Sequence, residues 1–218
     1  MATTKQKVSH QDVLEARVNL HGVRWETYEC LLADHADSSA PHFTYDRGEL
    51  EIMSPLPAHV DATWAVERVV EIVAEEFEIE FRNLRSTTFK RRDMERGFEP
   101  DSCFYVQNEP RVRGRRRLDL RVDPPPDLVI EIDLTSDSMT KFPLFAQLGV
   151  PEVWRFRGGD FQIFGLFDDQ YRRQASSSAF PALTAAEVAE FLRSSTSMSR
   201  TAWLRHLRTR FLELKRET

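Results

Sequence analysis

Two carboxylates at the end of one apolar segment are the first sign of chemistry in this sequence. Leu128, Val129 and Ile130 form a short apolar run, and Glu131 and Asp133 follow within three residues. Such a run predicts a strand buried on both faces, and side-chain alternation places both acids on the same face of that strand. Because a buried carboxylate is costly without a partner, the two acids need a nearby cation, or one of them must stay protonated.

Residues from two other segments complete a candidate hydrolytic site. Asp101 follows Pro100 and leads a predicted strand at 101–106, and Lys141 lies shortly after the strand that carries Glu131. Phosphodiester hydrolysis suits such a set, because negative charge develops on the substrate and a divalent cation also activates water. We predict that Asp101 and Glu131 bind Mg²⁺, which needs only one or two protein carboxylates. Lys141 would orient or deprotonate water, or stabilise the phosphate in the transition state.

The same residue types also allow structural interpretations. Paired acids in strands occur in ion-pair networks with arginines as well as in metal sites. Glu49 and Glu51 share one face of a predicted strand, so they form either a solvated face or an outer part of the site. In the second case Glu49 helps a second metal ion or holds Lys141. His59, at the entrance of a predicted helix, is either structural or in contact with the site.

Two basic segments stand out in an acidic chain. The formal net charge is −5 and the pI is about 5.7, so nucleic-acid binding would require a local basic surface. Residues 111–121 contain six arginines, which form either a solvated loop or a phosphate contact. Residues 193–218 carry seven lysines and arginines against two acids. This tail is a packed helical appendage with a basic face, a nucleic-acid clamp or a dimer contact.

Length and composition narrow the class of protein. The 218 residues fit one domain, or one domain with an appendage. Cys30 and Cys103 form neither a zinc motif nor a disulfide framework, which predicts a reduced, cytoplasmic protein. We expect no signal peptide and no membrane span, because no apolar run has the required length. The eight glycines form no phosphate-binding loop.

Periodicity and turn residues predict the elements that position these side chains. Helices are predicted at residues 11–18, 25–32, 58–77 and 139–148 and over most of 183–214. Strands are predicted at 43–53 (a hairpin), 78–90, 101–106, 128–133, 150–156, 160–166 and 171–174. The chain is therefore predicted to form an α/β domain over residues 1–176, which includes the N-terminal helices, and a C-terminal helical appendage over residues 177–218.

The ordered series of motifs resembles the Uma family of restriction endonuclease-like proteins, within the PD-(D/E)XK nuclease superfamily. The resemblance runs from about residue 25 to residue 166. The matching stretches are YDRGELEIMSP at 45–55 followed by His59, EPD at 99–101, PDLVIEID at 126–133, TSDSMTKF at 135–142 and GVPEVWRF at 149–156. No single motif is decisive, whereas their order is fairly specific.

The resemblance implies a role for each matching residue. The Pro-Asp of the superfamily matches Pro100 and Asp101, and its next strand acid matches Glu131. Asp133 stands where the simple pattern has lysine, and the lysine that this family places on the following helix matches Lys141. These matches imply catalytic roles for Asp101, Glu131 and Lys141, with the first two as metal ligands.

The resemblance also implies a fold, a cofactor and a partner. The early glutamate of the family matches Glu49 better than Glu51, because Glu49 directly follows Gly48. The implied fold is a mixed β-sheet flanked by helices, with a restriction endonuclease-like core. The implied function is a DNA endonuclease that depends on Mg²⁺, with Mn²⁺ as an alternative, and that acts as a homodimer. The rival interpretation is a catalytically silent protein on the same fold that binds nucleic acid or dimerises.

Overall fold

Eleven strands form two sheets in the part of the chain that the computed structural model describes, residues 15–135 and 137–217. The strands are β1 (Ala16–Leu20), β2 (His42–Asp46), β3 (Glu49–Ser54), β4 (Arg82–Asn83), β5 (Phe89–Arg91), β6 (Arg96–Phe98), β7 (Ser102–Tyr105), β8 (Leu128–Asp133), β9 (Glu152–Arg157), β10 (Asp160–Phe167) and β11 (Gln170–Gln174). The helices are α1 (Trp25–Asp34), α2 (Pro57–Phe77), α3 (Glu109–Val112), α4 (Phe142–Gln147), α5 (Ala185–Ser197) and α6 (Arg200–Glu217). None of these helices is long and apolar enough to span a bilayer.

The first sheet is antiparallel and has two chemically different faces. Its strand order is β1-β3-β2-β6-β5. One face is apolar, because alternate residues of β2 and β3 pack against helix α1. The residues of this apolar cluster are Trp25, Tyr28, Phe43, Tyr45 and Leu50. The other face carries the polar residues of the same strands and contacts the edge of the second sheet.

The second sheet is mixed and forms the centre of the core. Its strand order is β11-β10-β9-β8-β7-β4, with β8 and β9 parallel and the other neighbours antiparallel. Every residue of β8 is buried, as its apolar run predicts. Helices α2, α5 and α6 cover one face and helix α4 covers the other. The predicted α/β class, with helices flanking a mixed sheet, is confirmed.

The chain crosses from the first sheet to the second at Asp101. Strand β6 ends in the first sheet at Phe98, and β7 begins in the second at Ser102. Ser102 pairs with Ile130 in the antiparallel ladder of β7 and β8. One further step of that register brings Asp101 opposite Glu131. The crossing therefore fixes these two acids next to each other.

Three of the elements predicted from the sequence differ from those in the structure. Residues 78–90 do not form one strand, because they contribute β4 and β5 to different sheets. Asn83 accepts a hydrogen bond from the backbone of Arg85, which has a positive φ of 51°, so a turn separates the two strands. Residues 16–18 lie in β1 rather than in a helix, Glu15 lies outside any helix or strand, and residues 11–14 of the predicted helix lie outside the described residues. The helix predicted at 139–148 begins as a 3₁₀ turn, Ser138–Lys141, before α4.

The C-terminal helices share a core with the second sheet. Phe191, Trp203, Leu207 and Phe211 belong to the same apolar cluster as residues of α2 and β8. The predicted boundary between residues 176 and 177 thus falls inside a continuous core. The helical character predicted for 183–214 is confirmed by α5 and α6.

A pair of neighbouring substitutions in α6 tests this shared core. Phe211 is fully buried, whereas Leu212 is 43% exposed. We expect Phe211→Ala to lower the free energy of unfolding by about 3–5 kcal/mol, because the cavity it leaves lies in the common core. Leu212→Ala should change it by less than about 0.5 kcal/mol. Urea unfolding measures both, and equal losses, or a separate unfolding transition for the tail, would contradict a shared core.

Candidate active site

Lys141 lies at the centre of a group of acids between the two sheets. Its Nζ donates a hydrogen bond to Glu131 Oε2 at 2.9 Å, and Glu51 Oε1 lies 3.5 Å from the same nitrogen. Asp101 Oδ2 accepts a hydrogen bond of 2.7 Å from the backbone N–H of Ile132, next to Glu131. Lys141, Glu131 and Asp101 are buried. We call Glu51, Asp101, Glu131 and Lys141 the acidic–lysine cluster.

Asp133 positions Lys141 rather than joining the cluster. Its carboxylate accepts hydrogen bonds of 3.0 Å from the backbone N–H and the hydroxyl of Ser138, and it pairs with Arg155 Nε at 2.5 Å. The carboxylate of Asp137 caps the 3₁₀ turn Ser138–Lys141 by accepting a hydrogen bond from the backbone N–H of Met139 at 3.0 Å. These contacts tie the 3₁₀ turn to the end of β8, so Lys141 at the end of that turn points back to Glu131.

Glu51, and not Glu49, is the early glutamate that reaches the cluster. Both residues lie on the same face of β3, as the alternation predicted, but Glu49 is exposed and pairs with His21. Glu51 lies one pleat further along, contacts Lys141 and also pairs with Arg17. The catalytic role expected for Glu49 stays a prediction, and in the structure its carboxylate lies at the surface rather than at Lys141. Both glutamates line a cleft of about 440 Å³ that opens beside Lys141.

His59 connects the cluster to the first described residue of the chain. Its Nε2 lies 2.9 Å from Asp101 Oδ1, and its Nδ1 contacts Glu15 Oε1. Glu15 Oε2 accepts a hydrogen bond of 3.2 Å from the hydroxyl of Thr135. A second imidazole, that of His42, lies 3.7 Å from Asp101 Oδ1. Asp101 is thus held from several sides by groups that favour its ionised form.

His59 and Asp101 have complementary charge states. Burial disfavours the ionised form of Asp101, yet contacts with His42 and His59 and the charges of His59 and Lys141 lower the pKa of Asp101 well below its usual range. Burial likewise disfavours the imidazolium of His59, but Asp101 and Glu15 raise the pKa of His59 to about 9. At neutral pH, His59 is therefore a cation beside an ionised carboxylate.

Glu131 and Lys141 show how burial and charge compete. Burial raises the pKa of Glu131 to about 7, although the charge of Lys141 acts in the opposite direction. Burial disfavours the ammonium form of Lys141, but the carboxylates of Glu131, Glu51 and Asp101 outweigh it and raise the pKa of Lys141. The amine is therefore a permanent cation at neutral pH rather than a proton acceptor.

The donor set fits a hard cation that takes few protein ligands. Glu131 Oε1 is buried, and no group in residues 15–135 and 137–217 donates a hydrogen bond to it. Those residues contain no cluster of three or more His, Cys, Asp or Glu side chains arranged for a metal ion. Mg²⁺ keeps several waters and needs only one or two carboxylates. Asp101 and Glu131 can therefore supply its protein ligands, with the Ile132 carbonyl as a further oxygen.

The basic segments are only partly neutralised by acids of the chain. In the C-terminal tail, Arg208 pairs with Glu75 at 3.1 Å, and Arg200 pairs with Asp61 at 2.6 Å. These contacts attach α6 to α2, as expected of a packed appendage. In the loop at 111–121, several arginines pair with nearby carboxylates, namely Arg113 with Glu109, Arg115 with Asp123 and Arg121 with Asp119.

Glu15, Arg17 and His42 were not predicted as site residues. Glu15 lies 44 residues before His59, and Arg17 lies 34 residues before Glu51. Pairings over such distances leave no local spacing in the sequence. His42 is the first residue of β2, and alternate residues of this strand face the second sheet. Its place in that alternation is the signal in the sequence by which it could have been predicted.

Comparison with known protein families assigns the chain to a family. The model of a family named Uma2, described as "Putative restriction endonuclease", matches residues 25–197. This match supports a nuclease as the class of protein. The chain belongs to the Uma2 family. No curated protein matches the chain.

The chain is similar to a solved structure that is one of four matching chains. It is described as that of a putative nuclease belonging to DUF820, from Anabaena variabilis ATCC 29413. The sequences are 16% identical, the match covers 70% of this chain and 92% of the other, and the TM-score is 0.49.

The charge of His59 makes the stability of the fold depend on pH, and this dependence can be measured without substrate. The folded pKa of about 9 exceeds the value of 6.5 expected for an unpaired histidine. His59 should therefore stabilise the fold fully below pH 6.5, and this contribution should disappear as the pH rises to about 9. In metal-free protein with a chelator present, NMR of the imidazole should give a midpoint near 9.

The matched variant for this titration is Asp101→Asn. It keeps the shape of the side chain and removes the charge next to His59 Nε2. The midpoint of His59 should then fall toward its ordinary value, and the loss of stability should begin at lower pH. An unchanged midpoint would show that Asp101 does not hold the imidazolium.

Proposed function

We propose that this chain is a metal-dependent endonuclease that hydrolyses DNA phosphodiester bonds. The observation that carries this proposal is the contact of Lys141 Nζ with Glu131 Oε2 at 2.9 Å, in a buried cluster that also contains Asp101. Phosphodiester hydrolysis needs positive charge where negative charge develops. A buried ammonium ion beside two carboxylates that suit Mg²⁺ supplies that combination. The chain belongs to a family described as "Putative restriction endonuclease", and this description supports DNA as the substrate.

Each residue of the acidic–lysine cluster has its own proposed role in catalysis. Asp101 and Glu131 would hold Mg²⁺, and such an ion polarises the phosphate and lowers the pKa of bound water. Lys141 stabilises the additional negative charge on the phosphate as the water oxygen bonds to phosphorus and a P–O ester bond breaks. We assign it this electrostatic role, and not that of a base, because the surrounding carboxylates raise its pKa. Glu51 orients the ammonium group.

A homodimer would supply two such clusters. Cutting both strands of a duplex requires one cleavage event on each strand, and two clusters related by a two-fold axis match the symmetry of the two strands. We propose this assembly on the grounds of the family resemblance. Sedimentation velocity with and without duplex DNA tests it, and a monomer under both conditions would rule it out.

Substitutions in the cluster test the catalytic assignment. Glu131→Gln removes a proposed metal ligand, and Lys141→Met removes the ammonium ion while keeping an unbranched side chain. We expect each to lower the rate of Mg²⁺-dependent cleavage of duplex DNA by at least about 10²-fold, the range found for groups that stabilise developing charge. Circular dichroism must show that each variant is folded. Cleavage at the wild-type rate in both folded variants rejects the assignment.

A second pair of variants distinguishes the two early glutamates. Glu51→Gln should reduce cleavage by about tenfold or more, because it removes a carboxylate that orients Lys141. Glu49→Gln makes the same chemical change one pleat away and should alter the rate by no more than about twofold, since its carboxylate is exposed. A larger loss of cleavage in Glu49→Gln than in Glu51→Gln would assign this role to Glu49.

Removal of the metal ion tests the cofactor. Dialysis against a chelator should abolish cleavage, and Mg²⁺ or Mn²⁺ should restore it, because both favour oxygen ligands. Isothermal titration should show Mg²⁺ binding to the wild type and weaker binding to Glu131→Gln. If the protein binds DNA but forms no product with either ion, the catalytically silent alternative is favoured.

A further inference from the structure

A cleft lined by arginines is connected to Asp101 of the acidic–lysine cluster through His42. Its volume is about 660 Å³, and its basic lining consists of Arg82, Arg115, Arg116, Arg117, His35 and His42. Thr87 and Thr88 also line it. We call this space the arginine cleft. Its lining contains guanidinium and hydroxyl donors, which are the groups that bind phosphate oxygens.

Two exposed arginines of this cleft have no acidic partner among the described residues. Arg116 and Arg117 are exposed, and neither forms an ion pair with any residue in 15–135 and 137–217. The carboxylate that shares the cleft, Glu99, accepts hydrogen bonds from the backbone of Phe43 and the hydroxyl of Thr88. Burial raises the pKa of Glu99. The cleft therefore concentrates positive charge on a protein whose net charge is −5.

A neighbouring cleft provides a contrast. It is larger, about 970 Å³, and several cations line it. Most of these cations already have carboxylate partners, as Lys90 pairs with Glu29 at 3.0 Å and Arg91 pairs with Asp93 at 2.6 Å. Cations that are already neutralised gain less from an added anion. The unpaired Arg117 lines both clefts, whereas the unpaired Arg116 lines the arginine cleft and not the neighbouring one, so the arginine cleft holds more of the unpaired charge.

Other side chains hold the segment that carries the two free arginines. Arg82 donates hydrogen bonds to the backbone carbonyls of Val112 and Arg115. Arg115 pairs with Asp123 at 2.8 Å, and the same carboxylate accepts from the backbone N–H of Asp119 at 2.9 Å. A loop that is held in this way loses less conformational entropy when it binds a ligand. Arg116 and Arg117 are therefore presented from a fixed position.

His42 links this cleft to the candidate active site. It lines the cleft, and its Nδ1 lies 3.7 Å from Asp101 Oδ1. Glu99, another lining residue, precedes Asp101 by two positions in the chain. A polyanion that occupied the cleft would thus extend toward Asp101.

We propose that the arginine cleft binds backbone phosphates of the DNA strand next to the phosphodiester bond that is cleaved, with Arg116 and Arg117 as the principal contacts. This proposal rests on the proposed function and extends it by naming the surface that holds the substrate. These contacts position the strand and carry no sequence information, because guanidinium–phosphate pairs are the same at every base pair.

Binding measured without cleavage tests the proposal. The affinity of the wild type and of Arg116→Gln/Arg117→Gln for a DNA duplex is measured by fluorescence anisotropy in a chelator, at several salt concentrations. Each phosphate contact contributes about 0.9 to the slope of log K against log salt. The slope of the double variant should therefore be smaller by about 1.8, with affinity at 0.1 M salt reduced by about tenfold or more.

A charge-matched variant separates local contact from overall charge. Arg205→Gln/Arg216→Gln removes two exposed arginines of α6, which lies away from the cleft lining, and changes the net charge by the same amount. Its slope should remain that of the wild type. Equal slopes for the wild type and the cleft variant, or equal losses in both double variants, would overturn the proposal.

Neutral phosphates locate the contact along the DNA. A duplex with methylphosphonates at one or two positions flanking the cleaved bond should bind the wild type more weakly, while the cleft variant should not distinguish it from unmodified DNA. Sensitivity that persists unchanged in the cleft variant would place the contact elsewhere.

Failure of this proposal can be told from failure of the proposed function. Cleavage by the wild type that depends on Glu131, together with an unchanged salt slope in the cleft variant, rejects the cleft alone. Salt-dependent binding through the cleft without any Mg²⁺-dependent product rejects the catalytic function and keeps the cleft as a binding surface. Absence of DNA binding by the wild type rejects both.

Discussion

Charge balance between the two sheets is the constraint on which the site depends. Asp101 and Glu131 are buried next to each other, and Glu51 lies against the same lysine. Removing one partner of a buried ion pair costs about 3–5 kcal/mol, because it leaves an uncompensated charge. Two cations therefore have to reach this space. Lys141 comes from the turn after β8, and His59 comes from the first turns of α2.

The sequence predicts those site residues whose positions follow from the alternation of side chains along strands. The apolar run before Glu131 defines a buried strand, and its pairing with β7 carries Asp101 to the same edge. The distinction between Glu49 and Glu51 does not follow from pattern, because alternation puts both on one face. Only the position of Lys141 in space chooses between them. The contact of His59 with Glu15 is likewise invisible, because it joins elements 44 residues apart.

The fold shows the same division between local and non-local information. Turn residues and periodicity predict the hairpin of β2 and β3 and the helix α2, which the structure confirms. The partition of the strands into two sheets was not predicted. Strands β6 and β7 are separated by only three residues and yet belong to different sheets. Partner choice depends on which faces can be buried together, and a single short strand does not encode that choice.

The location of positive charge determines how an acidic chain would bind the proposed DNA substrate. The three carboxylates of the acidic–lysine cluster face two cations, Lys141 and the neighbouring His59, so the site carries no excess of positive charge. Such a site attracts DNA weakly, and the net charge of −5 opposes approach over the rest of the surface. A divalent cation held by Asp101 and Glu131 would add charge at the reacting phosphate, and the unpaired arginines would add it along the strand. Because most other cations of the surface are paired with acids, the strand would be drawn to the face that contains the site.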